Sequence, residues 1–326
     1  MSTQLSDYDY CLPRELIAQR PPEHRGDSRL MVLRPDTQGI EHRRFDELKT
    51  FLQQGDLLVL NDTQVLPARR FSDDGAIEFL FLERLGPCRW KCFVSPGRKM
   101  RVGATAEIGN VTLSVDEITP EGERVVVLNK DIDPYSGGST PLPPYIRRDG
   151  DKDDAERYQT VFAQTPGALA APTAGLHFTR EILSQIPHTF VTLHVGTGTF
   201  LPVRSENVTE HRMHAERFSI SYSAAGRINS ARRIVAVGTT VVRVLESAQR
   251  AGGNLVGQEG STDIFIYPPY QFQAVDILLT NFHLPRSTLF MLVSAFAGRE
   301  FLLHAYQEAI RERYRFYSYG DCMLVL

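Results

Sequence analysis

Residues 276–298 constrain the fold most, because they read as a buried strand, a polar loop and a buried helix in succession. Residues 277–279 are all apolar, a pattern typical of a strand covered on both faces. Residues 281–286 then bring together an amide, an imidazole and a guanidinium. Ser287 and Thr288 are two candidate caps for the apolar helix that follows, and Gly298 can end it. Open α/β sheets place ligand sites in such loops, although a well-capped core loop has the same pattern.

The length and charge of the chain limit what it can bind. At 326 residues it is long enough for two domains, and its net charge is -3. Any contact with nucleic acid must therefore use a local basic patch. The four cysteines form no C-x-x-C pair, so we expect free thiols in a reducing cytosol rather than a metal site. No apolar run approaches the ~18 residues of a membrane span, and we expect neither a span nor a signal peptide.

The pattern of predicted elements changes twice along the chain. Residues 1–66 read as mixed α/β, and residues 67–150 as short β-rich runs separated by glycine and proline turns, which favours a small barrel or sandwich. Residues 151–326 alternate strands with helices, which favours a parallel sheet. We therefore predict an α/β main domain with a mostly parallel sheet and an inserted small β domain, which is either a barrel or a sandwich. Strands are expected at 189–195, 234–237, 262–266 and 276–279, and helices at 241–250 and 301–313.

Residues 136–157 connect the β-rich block to the second α/β part. Residues 136–145 have the composition of a linker, and residues 147–157 read as a solvated run of charges.

Polar residues follow several predicted strands. Asn61-Asp62-Thr63 ends one buried strand, and Gly238-Thr239-Thr240 leads from another into a helix. That helix N-terminus suits a carboxylate or a ribose, but simple capping by a threonine explains the pattern equally well. The segment 193–200 could form an anion nest, but it lacks the third glycine of a dinucleotide fingerprint.

Four segments are basic or histidine-rich, and three of them have competing interpretations. The loop 20–29 holds three arginines and either binds phosphate or is solvated surface, and residues 96–101 place three cations on one turn. The tail 311–321 interleaves aromatics with arginines, which suits stacking on unpaired bases or packing into the core. His211-Arg-Met-His-Ala-Glu216 lacks the spacing of a zinc motif, so we do not expect a metal there, and the same residues could do acid–base work.

A set of motifs runs along nearly the whole sequence, at residues 12–13, 16–21, 28–31, 61–63, 66–69, 172–179, 193–200, 211–216, 238–247, 262–268, 279–298 and 314–324. With these motifs the sequence resembles the S-adenosylmethionine:tRNA ribosyltransferase-isomerase family of queuosine biosynthesis. The resemblance implies a monomeric cytoplasmic enzyme, built as an α/β domain that carries an inserted small β-barrel domain. It implies no permanently bound cofactor, with S-adenosylmethionine as co-substrate. It also implies transfer of the ribosyl part of that molecule to 7-aminomethyl-7-deazaguanine at a tRNA wobble position, isomerisation to an epoxide, and release of adenine and methionine.

The implied reaction needs a base beside the sulfonium carbon and an acid for the departing adenine. The catalytic candidates are His177, His194, His214, His283, Glu216 and Asp321, of which we favour His177 and His283 for proton transfer. For S-adenosylmethionine the candidates are Asn61, Asp62, Thr63, Gly238, Thr239, Thr240 and Arg243, with the helix near Thr240 facing the methionine carboxylate. For tRNA they are Arg14, Arg20, Arg25, Arg98, Lys99 and Arg101, in a basic cleft.

Two other functions are compatible with the same scaffold. One is a non-catalytic RNA-binding protein, and the other is an S-adenosylmethionine enzyme that acts on a small molecule. Release of adenine that depends on precursor-bearing tRNA would separate all three.

Overall fold

The computed structural model describes residues 3–196, 203 and 205–326, so most of the predicted anion nest at 193–200 lies outside the described residues. The chain divides into two compact units. The first comprises Met1–Gln64, Pro143–Arg148 and Arg157–Leu326, and the second comprises Val65–Leu142 and Asp149–Glu156.

Strands outnumber helices in the described chain. In chain order they are β1 (Arg29–Arg34), β2 (Gly39–Arg44), β3 (Asp56–Asn61), β4 (Thr63–Val65), β5 (Arg69–Phe71), β6 (Glu78–Gly86), β7 (Arg89–Ser95), β8 (Thr105–Ile108), β9 (Val111–Ile118), β10 (Arg124–Leu128), β11 (Thr165–Ala168), β12 (His188–Leu193), β13 (Glu216–Ile220), β14 (Arg233–Val237), β15 (Arg250–Ala251), β16 (Asn254–Leu255), β17 (Gln258–Thr262), β18 (Ile277–Asn281) and β19 (Cys322–Val325).

The helices fall into two kinds. The α-helices are α1 (Asp154–Arg157), α2 (Arg180–Ser184), α3 (Tyr222–Asn229), α4 (Thr239–Ser247), α5 (Thr288–Ala297) and α6 (Arg299–Arg311). Short 3₁₀ helices span Leu5–Tyr8, Arg14–Leu16, Phe45–Phe51, Gly97–Lys99, Thr173–His177 and Val208–Glu210.

The sheet of the first unit is mixed rather than mostly parallel. Across the described residues its strand order is β17-β13-β12-β3-β14-β18-β19-β1-β2. The four central strands β12, β3, β14 and β18 run parallel, as predicted from the alternation of strands and helices. The C-terminal strand β19 returns antiparallel to β18, and β13, β17 and β2 extend the edges antiparallel. The prediction of a mostly parallel sheet is therefore wrong, because β19 pairs antiparallel with β18, and the strands β2, β13 and β17 pair antiparallel with their neighbours.

Alternating side chains bury both faces of this sheet. In β3, Leu57 and Val59 belong to one apolar cluster, while Leu58 and Leu60 belong to a second cluster on the other face. Helices α4, α5 and α6 supply residues to the first cluster. A sheet covered on both faces explains why its central strands are continuous apolar runs.

The second unit contains an antiparallel six-stranded sheet, counted over the described residues, in the order β5-β6-β7-β10-β9-β8. Just beyond β5, the Asp73 amide donates to the Glu107 carbonyl of β8 at 2.9 Å, which brings the first and last strands together. Phe79, Phe81 and Trp90 are buried in its interior. The sheet is thus a nearly closed barrel, in agreement with the predicted β-rich block.

Local predictions were most accurate where capping was clear. Ser287 caps α5 by accepting from the Phe290 amide at 3.1 Å, and Gly298 ends it with a φ of 83°. The prediction of a strand at 262–266 is wrong, because β17 ends at Thr262. Helix α4 ends at Ser247, three residues before the predicted end at 250.

No single helix of the described chain is long and apolar enough to cross a membrane. The adjacent helices α5 and α6 meet the length and composition criteria only as a pair, which is bent by 113°.

Candidate active site

A cavity of about 660 Å³ opens in the first unit at the carboxyl ends of β14 and β18. This is the edge of an open α/β sheet at which ligands bind, and the volume suits a ligand the size of a nucleoside derivative. Its described walls come from residues 144–145, 170–174, 238–240, 280–289 and 317–318, together with Leu5, Arg147, Tyr158, Val195, Val203 and Glu206.

The N-terminus of α4 forms one wall of the cavity. Gly238 links β14 to α4 with a φ of 92°, a conformation that glycine adopts without strain, and its amide donates to the Leu279 carbonyl at 2.8 Å. No side chain caps the helix. Thr239 is buried, lines the cavity, and its hydroxyl forms no hydrogen bond with another described residue. The free amides of this first turn carry partial positive charge, so this wall can hold an anion.

The carboxyl end of β18 places His283 in the cavity wall. Nε2 of His283 lies 2.8 Å from Thr280 Oγ1, and the His283 amide donates to the Tyr306 hydroxyl at 3.0 Å. The Tyr10 hydroxyl donates to the His283 carbonyl. Burial lowers the pKa of His283 to about 3, so the ring is neutral at pH 7. A buried neutral imidazole beside a cavity is a candidate proton acceptor.

His177, the other favoured histidine, is held on both sides by protein. Its Nδ1 lies 2.8 Å from Ser28 Oγ, and its Nε2 lies 3.2 Å from Asn281 Oδ1. The Asn281 amide group donates to the Tyr317 carbonyl, which leaves Oδ1 to accept from Nε2–H. Burial lowers the pKa of His177 to about 4, more than the Asn281 hydrogen bond raises it. His177 therefore orients Asn281, which does line the cavity.

Another part of the wall is an aromatic pair, formed by Tyr317 of the tail and by Tyr145, which the sequence analysis missed. Tyr145 stacks on Tyr317 with ring centroids 4.5 Å apart and planes 20° apart. The Tyr145 hydroxyl lies 2.6 Å from Ser318 Oγ. Tyr145 follows a proline-rich stretch of linker composition, and no local signal marked it as a cavity residue.

The predicted residues at the ends of β3 and β12 form a framework beside the cavity. Asn61 accepts from the Leu193 amide at 3.0 Å and donates to the Leu193 carbonyl at 2.9 Å. Thr63 Oγ1 lies 2.9 Å from His194 Nδ1, and Asp62 accepts from a threonine hydroxyl of β12. Burial raises the pKa of Asp62 and lowers that of His194. None of these four is among the described lining residues, so the structure gives them a role in joining strands.

Glu216 and Arg243 form a buried ion pair. Arg243 Nη1 bonds Glu216 Oε2, and Glu216 Oε1 accepts from the Gly196 amide at 2.8 Å. Nε and Nη2 of Arg243 are buried without a hydrogen-bond partner among the described residues. Neither Glu216 nor Arg243 is among the described residues that line the cavity. The structure therefore does not place Arg243, a predicted S-adenosylmethionine contact, at the described cavity wall.

The remaining two acid–base candidates lie apart from the described cavity wall. Asp321 accepts from the backbone amides of Arg29 and Arg315, each at 2.8 Å, and burial raises its pKa. Its two oxygens therefore fasten the C-terminal turn. His214 is exposed. Over the residues that the structure covers, no cluster of histidine, cysteine and carboxylate side chains could hold a metal.

The six predicted tRNA contacts fall in both units. Arg14 and Arg20 are exposed in the first unit, whereas Arg25 donates to the carbonyls of Leu176 and Gln159. The other three cations are exposed on and beside one turn of the second unit. They are Arg98, Lys99 and Arg101.

Comparisons with known proteins assign the family. The family model described as "Queuosine biosynthesis protein" matches residues 5–325. A protein from Carboxydothermus hydrogenoformans named S-adenosylmethionine:tRNA ribosyltransferase-isomerase is 48% identical over 350 residues, covering 99% of this chain and 100% of its own. A protein of the same name from Thermotoga petrophila is 47% identical over 344 residues, with 99% and 100% coverage.

One solved structure agrees with these matches. The crystal structure of the S-adenosylmethionine tRNA ribosyltransferase from Thermotoga maritima is 39% identical, with a TM-score of 0.57 and coverage of 98% of this chain and all of that one. This chain therefore belongs to the S-adenosylmethionine:tRNA ribosyltransferase-isomerase family of queuosine biosynthesis proteins.

Proposed function

We propose that this protein transfers the ribosyl part of S-adenosylmethionine to 7-aminomethyl-7-deazaguanine at the wobble position of a tRNA. The product is the epoxide, and adenine and methionine are released. The observation that carries the proposal is identity of 46–48% to enzymes with this name along the whole chain. A cavity of suitable size at the carboxyl edge of the sheet supports it. The test is adenine release from S-adenosylmethionine with and without tRNA that carries the precursor base.

The methionine carboxylate binds at the N-terminus of α4 in this proposal. The support is the uncapped first turn and the Thr239 hydroxyl at the cavity wall. Arg243 was among the residues predicted to bind S-adenosylmethionine, but its partner is Glu216, so we assign the carboxylate to the amides and hydroxyl of α4 instead.

His283 transfers the proton in this proposal. The sulfonium acidifies the neighbouring carbon, and a neutral imidazole in the cavity wall can accept the proton released there. Once protonated, the imidazolium can give the same proton to the departing adenine. His177 holds Asn281 in place. Glu216 and Asp321, which hold an ion pair and a turn, are less suited to proton transfer than His283.

The β-rich block is, we propose, an inserted β-barrel domain, and the enzyme acts as a cytoplasmic monomer. The support for the insertion is that the chain leaves the first unit after Gln64 and returns to it at Pro143. The exposed cations Arg14, Arg20, Arg98, Lys99 and Arg101, and the partly buried Arg25, remain our candidates for phosphate contacts. Light scattering of the purified protein tests the monomer, since a dimer would double the mass of 36.7 kDa.

A further inference from the structure

Three charged side chains line the described wall of the cavity, and they differ in what they can still bind. Arg286 is ion-paired with Asp9, whose Oδ2 lies 2.8 Å from Arg286 Nε. Glu206 is an exposed carboxylate, which repels phosphate. Arg147 is exposed, and its guanidinium has no ion-pair or hydrogen-bond partner among the described residues. Among the described lining residues, Arg147 is therefore the cation that remains available for an anion.

The backbone around Arg147 is fixed, which holds its side chain at the cavity. The Arg147 amide donates to Gln19 Oε1 at 2.7 Å, and Gln19 Nε2 donates to the Tyr145 carbonyl at 3.0 Å. Tyr145 in turn stacks on Tyr317. A cation on a pinned segment loses less conformational freedom when it binds a ligand than one on a loose loop.

We propose that Arg147 binds a backbone phosphate of the tRNA beside the nucleotide whose base enters the cavity. An exposed lining residue lies where the cavity meets solvent, and a base can enter only if its sugar and phosphate stay at that opening. Arginine binds phosphate through paired N–H donors, which favours it for this position. The inference deepens the proposed function and rests on it. It also gives Arg147, which the sequence presents as part of a solvated run of charges, a specific ligand.

The neighbouring chain supports a polynucleotide rather than a small anion as the ligand. Gln19, which fixes Arg147, precedes Arg20, and the same segment carries Arg14. Both arginines are exposed. A small anion such as the methionine carboxylate has its own place at the N-terminus of α4.

Binding of precursor-bearing tRNA to the full-length protein over a series of salt concentrations tests this inference. We expect Arg147→Ala to weaken binding by roughly two- to fivefold, and Arg147→Glu to weaken it further. The slope of log affinity against log salt should fall by about one phosphate contact in both variants. Arg147→Lys should keep most of the slope, since the charge remains. The affinity for S-adenosylmethionine alone should stay at the wild-type value in all three.

Arg227→Glu is the matched control. Arg227 is an exposed arginine of α3 beside Gly55, Asp56 and Pro187, which lie at the amino ends of β3 and β12 and thus at the opposite edge of the parallel strands. It should leave tRNA binding unchanged. A wild-type affinity and salt slope in Arg147→Glu would overturn the inference. So would lost affinity for S-adenosylmethionine with an unchanged tRNA slope, because Arg147 would then hold the smaller substrate.

The outcome remains readable if the proposed function is wrong. Should the wild-type protein release no adenine in the presence of precursor-bearing tRNA, the proposed reaction fails. A salt slope that depends on Arg147 would still show the phosphate contact in that case.

Discussion

Nε2 of His283 lies 2.8 Å from Oγ1 of Thr280, so the last residues of β18 hold the imidazole of the loop that follows. The bond fixes one ring nitrogen against the sheet, while the residue lines the cavity. In a neutral imidazole one nitrogen donates and the other accepts, so the partner of Nε2 determines what Nδ1 can do.

Replacing His283 should stop the chemistry without abolishing substrate binding. We expect His283→Ala to lower the rate of adenine release at saturating tRNA by ~10²–10⁴-fold, the usual effect of losing a general acid or base. The rate of adenine release in His177→Ala is the comparison, because His177 acts on the cavity through Asn281. Near-wild-type turnover in His283→Ala would show that the base lies elsewhere, with Glu216 and Asp321 next to be tested.

The Thr280 hydroxyl should matter more than the volume of the side chain. Thr280→Val keeps the shape but removes the hydrogen bond to Nε2, and we expect a roughly five- to tenfold lower turnover with an unchanged KM for S-adenosylmethionine. Thr280→Ser retains the hydroxyl and should restore most of the activity. Equal activity in the valine and serine variants would argue against this role.

A negative charge at the start of α4 should repel the methionine carboxylate. Thr239→Asp places a carboxylate at an uncapped helix N-terminus, where the amides of the first turn offset part of the cost of burying it. We therefore expect a folded protein whose KM for S-adenosylmethionine is raised at least about tenfold. Thr239→Ser is the conservative control. An unchanged KM in Thr239→Asp would exclude this wall as the carboxylate site.

The buried pair of Glu216 and Arg243 should serve stability rather than binding. Glu216→Ala leaves Arg243 buried without its partner, and we expect a loss of about 3–5 kcal/mol in the free energy of unfolding. The double variant Glu216→Leu with Arg243→Met should recover most of that loss in urea titrations. The double variant should also bind S-adenosylmethionine with wild-type affinity. Loss of that binding would indicate that Arg243 contacts the ligand.

Folding stability should fall as pH is lowered below about 6.5, the value for an unperturbed histidine. The folded-state pKa values of His177 and His283 are depressed to about 4 and about 3, so the unfolded chain takes up protons that the folded chain does not. Each histidine then contributes about 1.4 kcal/mol per pH unit between those limits. Urea titrations at pH 7 and pH 5 should show a smaller difference in His283→Gln than in wild type, and an equal difference would contradict the burial of a neutral ring.

The elements with clear local signals could be predicted from the sequence. The strand, polar loop and capped helix expected within 276–298 are β18, the loop that carries His283, and α5. Glycine and proline turns marked residues 67–150 as a β-rich block, and strands β5 to β10 lie within it. Periodicity and capping are local properties, so they survive without knowledge of the fold.

The remaining features depend on contacts between distant parts of the chain. The antiparallel return of β19 beside β18 cannot be seen in either strand's composition. Tyr145 lies at the cavity because it bonds Ser318, which is 173 residues away in sequence. Arg147 is held there by Gln19, which is 128 residues away. Arg243 was predicted to contact S-adenosylmethionine because of its charge, and nothing in the local sequence indicates its pairing with Glu216.

Adenine release from S-adenosylmethionine, measured with precursor-bearing tRNA, with tRNA that lacks the precursor base, and without tRNA, tests the central claim most directly. The proposed function predicts adenine and methionine in equal amounts with the first tRNA and neither product in the other two reactions. Binding of precursor-bearing tRNA without adenine release would contradict it, and would indicate a non-catalytic RNA-binding protein. Adenine release that is independent of tRNA would contradict it as well, and would indicate an enzyme that acts on a small molecule.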